Sequence, residues 1–159
     1  MLYSFLIGLV GGMRSMSPLA AVAIAANRHA LPEDDPATRL LGHPAVVVGT
    51  VALAAGELAG DKWPKAPDRI VPAGMAARLV TGAVTGAALA PRNRRGLGAA
   101  LGVSGAVLSA YATFNLRVRS MARHGQTPTG LVEDAVVLAA LAGVVGAASA
   151  ARQQVPIAR

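Results

Sequence analysis

The chain has 159 residues, of which 53% are apolar, 14% charged and only 3% aromatic, with 18 glycines and no cysteine. An ordinary soluble domain carries about 25% charged residues and fills its core with large side chains, so this composition excludes disorder and a disulfide framework and argues against a soluble globule. The net charge of +7 does not indicate nucleic acid, because the basic residues separate apolar segments instead of forming a patch interleaved with aromatics.

Five apolar segments follow in chain order, over 2–26, 44–60, 70–90, 96–116 and 130–151. Each approaches the ~20 residues needed to cross ~30 Å of hydrocarbon. The expected fold is therefore all-α, a single polytopic membrane domain over 1–159 with about five transmembrane helices. In the first segment Arg14 interrupts the apolar run and Pro18 is expected to divide it into two half-helices. The segment has no positive n-region, so a retained first helix is expected in preference to a cleaved signal peptide. Small residues recur four apart at Gly56 and Gly60, Gly82 and Gly86, and Gly98 and Gly102, the spacing that lets helix backbones approach closely in lipid.

Five crossings would place the N-terminus on one face with Lys62, Lys65, Arg69, Arg117, Arg119 and Arg123. The other face would hold Arg28, Arg39, Arg92, Arg94, Arg95, Arg152 and Arg159. This near-balance leaves the orientation open. The pairing of an arginine-bearing helix with an acid-bearing one, in spans one and two and again in four and five, raises an inverted repeat as an expectation.

Ionisable residues inside spans are costly and are functional candidates by default. They are Arg14, Glu57, Arg78, Glu133 and Asp134, with Asp61 at a helix end. At ~1.5 Å of rise per residue, Glu57, Glu133 and Asp134 lie about one turn, and Arg78 about two, inside the same face. Asn115 and Arg117 arrive there at the end of the fourth span. Arg14, deepest of all, most needs a partner. Glu57 and Asp61 share one helical face and repel each other unless a cation, a proton or an arginine lies between them.

Structural readings stand beside the functional ones. Glu133 and Asp134 suit the first turn of a helix whose start is marked by Thr127-Pro128. Glu57 and Arg78 can form a register-fixing ion pair. Trp63 suits an interfacial anchor. The segment GELAGDKWPKAPDR, stiffened by Pro64 and Pro67, would form one wall of a site with Lys62 and Asp68, joined by Asn115 and Arg117. In the first loop, His29, Glu33, Asp34, Asp35 and His43 match no metal-ligand spacing, and a solvated loop is expected. No hydrolase elbow, zinc-protease, phosphate-loop or cysteine-nucleophile signature is present, so neither an enzyme nor a cofactor is expected.

The Gly-rich N-terminal stretch with Arg14 and Pro18, then GELAGDKWPKAPDR with Glu57, Asp61, Lys62 and Pro64, then LVEDAVV with Glu133 and Asp134, together resemble a family of bacterial integral-membrane proteins, domain of unknown function 4126. The resemblance spans most of the chain. It implies a multi-spanning helical protein of the cell's inner membrane and singles out the same acids, but no activity.

The expected function is a small transporter or channel-like protein for an ion or solute, such as a cation or proton. Glu57, Asp61, Glu133 and Asp134 would bind it, with Arg78 and Arg14 balancing charge. A bundle too small to enclose a wide pathway alone favours a homo-oligomer, a dimer first, surrounded by membrane lipids. The alternative is a non-transporting scaffold or lipid-binding protein whose charges are structural ion pairs.

Overall fold

The computed structural model describes residues 1–31, 35–60 and 71–153. Among them the chain is entirely helical, with seven α-helices and one 3-10 turn. In order these are α1 (Leu2–Met13), α2 (Met16–Asn27), α3 (Pro36–Leu41), α4 (Pro44–Gly60), α5 (Pro72–Ala88), the 3-10 turn Arg92–Arg94, α6 (Arg95–His124) and α7 (Gln126–Gln153). Among the described residues, two stretches, Arg92–His124 and Gln126–Ala151, are long and apolar enough to cross a membrane by length and composition. The helices α1, α2 and α4 are apolar but shorter.

The α5–α6 connection defines one end of the bundle, the proximal end, and the α6–α7 connection defines the distal end. Helices α5 and α6 are antiparallel, with Gly82 against Gly102 and Gly86 against Gly98. A Cβ at Gly102 would overlap the carbonyl of Gly82, so only hydrogen permits this approach. Helix α1 completes the tight three-helix unit. Gly8 meets Gly102, and Gly12 meets Ala106, Ser109 and Ala110, so α1 runs parallel to α6 and points to the distal end. The spaced glycines at 82, 86, 98 and 102 thus work as the pattern predicts, whereas Gly56 and Gly60 face open space, where an added Cβ would meet nothing within 4 Å.

The first apolar segment does not form one rod. The chain breaks at Arg14, whose backbone is extended (φ −140°, ψ 119°), and α2 then starts from Ser15. The break falls four residues before Pro18, not at it. A proline ring clashes with the carbonyl four residues earlier and is tolerated in a helix's first turn, so Pro18 forbids helix through Arg14 and sits comfortably near the start of α2. Helix α2 returns antiparallel to α4. Ser15 and Met16 meet Glu57 near the end of α4, while Asn27 donates to the Gly42 carbonyl just before α4 begins (2.8 Å). The short α3 packs on α2, and its Thr38 and Leu41 line a pocket with Ala83, Ala87 and Ala88 of α5, at the proximal end. Hence α1 and α2 form a hairpin that enters and leaves the bundle at the proximal end, with its apex at 13–15 towards the distal end.

This corrects two expectations. The N-terminus lies at the proximal end, opposite the α6–α7 connection, where five through-running spans would have put the two together. Nor can α1, the first half of the opening segment, be the inverted counterpart of α6, because the two start at the same end and run parallel.

The apolar core lies between these layers, around Ile7, Val10, Val22, Val137 and Leu141. At the proximal end Asp35 caps α3 by accepting from the Thr38 N–H (3.2 Å) and pairs with Arg95. Desolvation pushes the Asp35 carboxyl up, but the Thr38 N–H, the Arg95 guanidinium and the Thr38 hydroxyl together outweigh it and hold it below the usual carboxylate value. At the distal end Gly125 takes a left-handed φ of 84°, which lets α7 start one residue after α6 stops.

Candidate functional site

The hairpin apex is a costly place to leave a backbone. The last carbonyls of α1 and the first N–H groups of α2 have no intrahelical partners there, and little water reaches them. Two side chains meet the need. Glu57, from the last turn of α4, accepts at Oε1 from the Ser15 N–H and the Ser15 hydroxyl, both at 2.8 Å, and at Oε2 from the Met16 N–H at 2.8 Å. Arg78, from the second turn of α5 and 4% exposed, donates its Nε–H to the Gly12 carbonyl (3.1 Å) and its Nη1 to Gly74 of its own helix (2.8 Å). An anion thus sits at the positive N-terminus of α2 and a cation at the negative C-terminus of α1, the favourable sense for both helix dipoles.

Arg14 itself, 1% exposed, turns to α7. Its Nε and Nη2 both donate to Asp134 Oδ1, at 3.0 and 2.6 Å. One turn further towards the distal end, Arg117 Nη1 donates to Glu133 Oε2 at 2.7 Å, with each side chain 9% exposed. Adjacent acids on α7 therefore serve different helices, Asp134 facing α1 and Glu133 facing α6. Arg14, Arg78 and Arg117 balance Glu57, Glu133 and Asp134, so the layer is formally neutral among the described residues.

The sequence-derived site residues sort accordingly. The structure brings Glu57, Arg78, Arg14, Asp134, Glu133 and Arg117 into one layer near the distal end. Asn115 is not part of it. It is exposed, and its amide donates to the Tyr111 carbonyl of its own helix (3.4 Å), because two residues of helix turn it away from the face that carries Arg117. Asp61, Lys62 and Asp68 lie outside the described residues, as do Trp63 and the proline-rich segment around it. Glu57 and Arg78, expected as a candidate ion pair, grip the two halves of the broken helix.

Ser15, Met16 and Gly12 carry no charge and so escape a search for intramembrane ionisable groups, although Ser is a residue type favoured at a helix start. Among the described residues, no three His, Asp or Glu side chains stand close enough to hold a metal ion. His29 and His43 are exposed in the first connection, away from the layer.

Among the described residues the class defined is an all-helical bundle whose N-terminal helical hairpin is clamped at its apex by the half-buried Glu57 and the buried Arg78. No family model, curated protein or solved structure matches the chain.

Proposed function

We propose that the chain is an integral-membrane protein of the transporter or channel-like class, in which the hairpin apex is the element that handles an ion or small solute. In this reading α4, α5, α6 and α7 cross the bilayer and the α1–α2 hairpin is re-entrant, so four helices span and a fifth segment dips in and returns. Interrupted helices inside lipid are tolerated where protein or a water-filled cavity satisfies their backbone, and their free termini are the usual places where transporters hold ions. The likeness to domain of unknown function 4126 fits such a protein in a bacterial cytoplasmic membrane.

The observation that carries the reading is the clamp on the apex by Glu57. A proton or cation taken up by the Glu57 carboxylate competes with three hydrogen bonds to α2, so occupancy is coupled to release of the hairpin. Arg78 and the Arg14–Asp134 pair keep charge balanced as that happens. Asp61 and a second copy of the chain are further contributors under this proposal.

A second reading, a non-transporting scaffold, is favoured by the closure of the layer. Each described acid already accepts from an arginine or from backbone. Flux of protons and of mono- and divalent cations into proteoliposomes, measured for the parent and for Glu57→Gln, separates the two. The carboxamide can still accept from Ser15, but its NH2 cannot accept from the Met16 N–H. Ion flux by the parent that is lost in a folded Glu57→Gln supports the transport reading. No flux of any ion by the parent, with the variant destabilised, supports the scaffold.

A further inference from the structure

Although α6 and α7 are joined by a single residue at Gly125, they splay apart and leave a cleft of about 460 Å³ between them, closed at its back by Met13 of the hairpin apex. This is within the ~300–1,000 Å³ typical of small-ligand sites. Its walls are Leu116, Val132, Val136 and Pro128, and its polar lining at the distal end is Ser120, His124 and Thr129. The Arg117–Glu133 pair borders it, already neutralised within itself. Arg119 and Arg123 are exposed on the same turns of α6 as Ser120 and His124, on the flank of the helix that carries Leu116 and outside the lining of the cleft. Among the described residues the end of α6 beside the mouth therefore carries an excess of basic charge, while the walls of the cleft are apolar.

We infer that this cleft is a binding site for an anionic phospholipid of the surrounding bilayer, with one acyl chain between Leu116, Val132 and Val136 and the phosphate at Ser120 and His124, drawn there by Arg119 and Arg123. The gradient from apolar wall to basic mouth matches such a lipid end for end. The mouth also lies at the helix ends, where headgroups would be. A zwitterionic lipid offers the same chains without the net charge, so the arginines supply the selectivity. The inference rests on the membrane reading but not on transport. It also gives the apex a lateral neighbour, because the chain end would touch Met13, one residue from Arg14.

The test uses the full-length protein extracted from membranes in mild detergent, with phosphatidylglycerol and phosphatidylcholine as probes. Lipid retention is followed by native mass spectrometry and by the shift in unfolding midpoint. The parent is expected to retain phosphatidylglycerol in preference to phosphatidylcholine. Arg119→Gln with Arg123→Gln should lower that preference by roughly fivefold per charge removed, leaving phosphatidylcholine unchanged. Val136→Trp should fill the cleft and reduce both, whereas Val48→Trp, on the exposed face of α4, should reduce neither.

Equal retention of the two lipids by the parent, or loss in Val48→Trp as large as in Val136→Trp, overturns the site. Should Val136→Trp fail to fold, the arginine variants decide the matter alone. Recovery of the protein in the aqueous fraction without detergent overturns the membrane reading itself, and with it the site. A membrane-extracted protein with no lipid preference removes only the site.

Discussion

Arg14 is the largest fully buried side chain among the described residues, and it donates twice to one carboxylate oxygen of Asp134. Taking either partner away leaves an uncompensated buried charge, which costs about 3–5 kcal/mol, whereas replacing both by apolar residues of similar size is often neutral. Asp134→Leu and Arg14→Met are therefore each expected to lower stability by about that much, and the double variant to recover most of the loss. Equilibrium unfolding in mixed micelles measures it, and strictly additive effects would show that the two side chains do not act as a pair. The need for a partner was readable at Arg14 from its depth alone. The partner's identity was not, because Asp134 and Glu133 are neighbours with equal charge. Only the phase of α7 against α1 and α6 separates their roles. The same holds for Glu57, whose partners are the Ser15 hydroxyl and two backbone N–H groups.

At the scale of elements, two sets of glycines with the same spacing behave differently. Those at 8, 82, 86, 98 and 102 lie where backbones touch, while an added Cβ at Gly56 or Gly60 on α4 would meet nothing within 4 Å among the described residues. Spacing reports that a close approach is possible and cannot say whether a partner is present. Gly102→Val is expected to drive α5 and α1 away from α6 and to abolish the folded bundle, a loss of more than about 3 kcal/mol, since the obstacle is backbone and cannot change rotamer. Gly56→Val should leave the folded monomer within about 0.5 kcal/mol of the parent, as an exposed change should. Unfolding curves for both variants, read beside size-exclusion in detergent, check this. If α4 is the face through which two copies associate, Gly56→Val will dissociate them without unfolding either. Helix positions were similarly legible where apolar runs end in Pro or Gly, as in α4 and α5. The reach of α6 to His124 was not, because its last turns, rich in Arg and Ser, lie beyond the apolar stretch.

For the whole molecule, the hairpin changes which end holds the N-terminus. A 25-residue apolar run has the length of a crossing, and its hydropathy does not distinguish a rod from a fold-back; the decisive feature is a single proline, which sets the break at Arg14 and lets Glu57 and Arg78 stabilise the two new termini. With α1 parallel to α6, Leu2 and Asn93 belong to the proximal end and His124 to the distal end. The chain has no cysteine, so Leu2→Cys, Asn93→Cys and His124→Cys, all at exposed positions, each provide one unique label site. In sealed vesicles an impermeant maleimide should label Leu2→Cys and Asn93→Cys to the same extent and His124→Cys to the complementary extent. This relation holds even if the protein inserts in both orientations, because the first two sites still move together. Labelling of Leu2→Cys that follows His124→Cys instead would mean that the first segment crosses as one rod. Glu57 would then have no helix N-terminus to hold, and the apex would lose its claim to be the functional element.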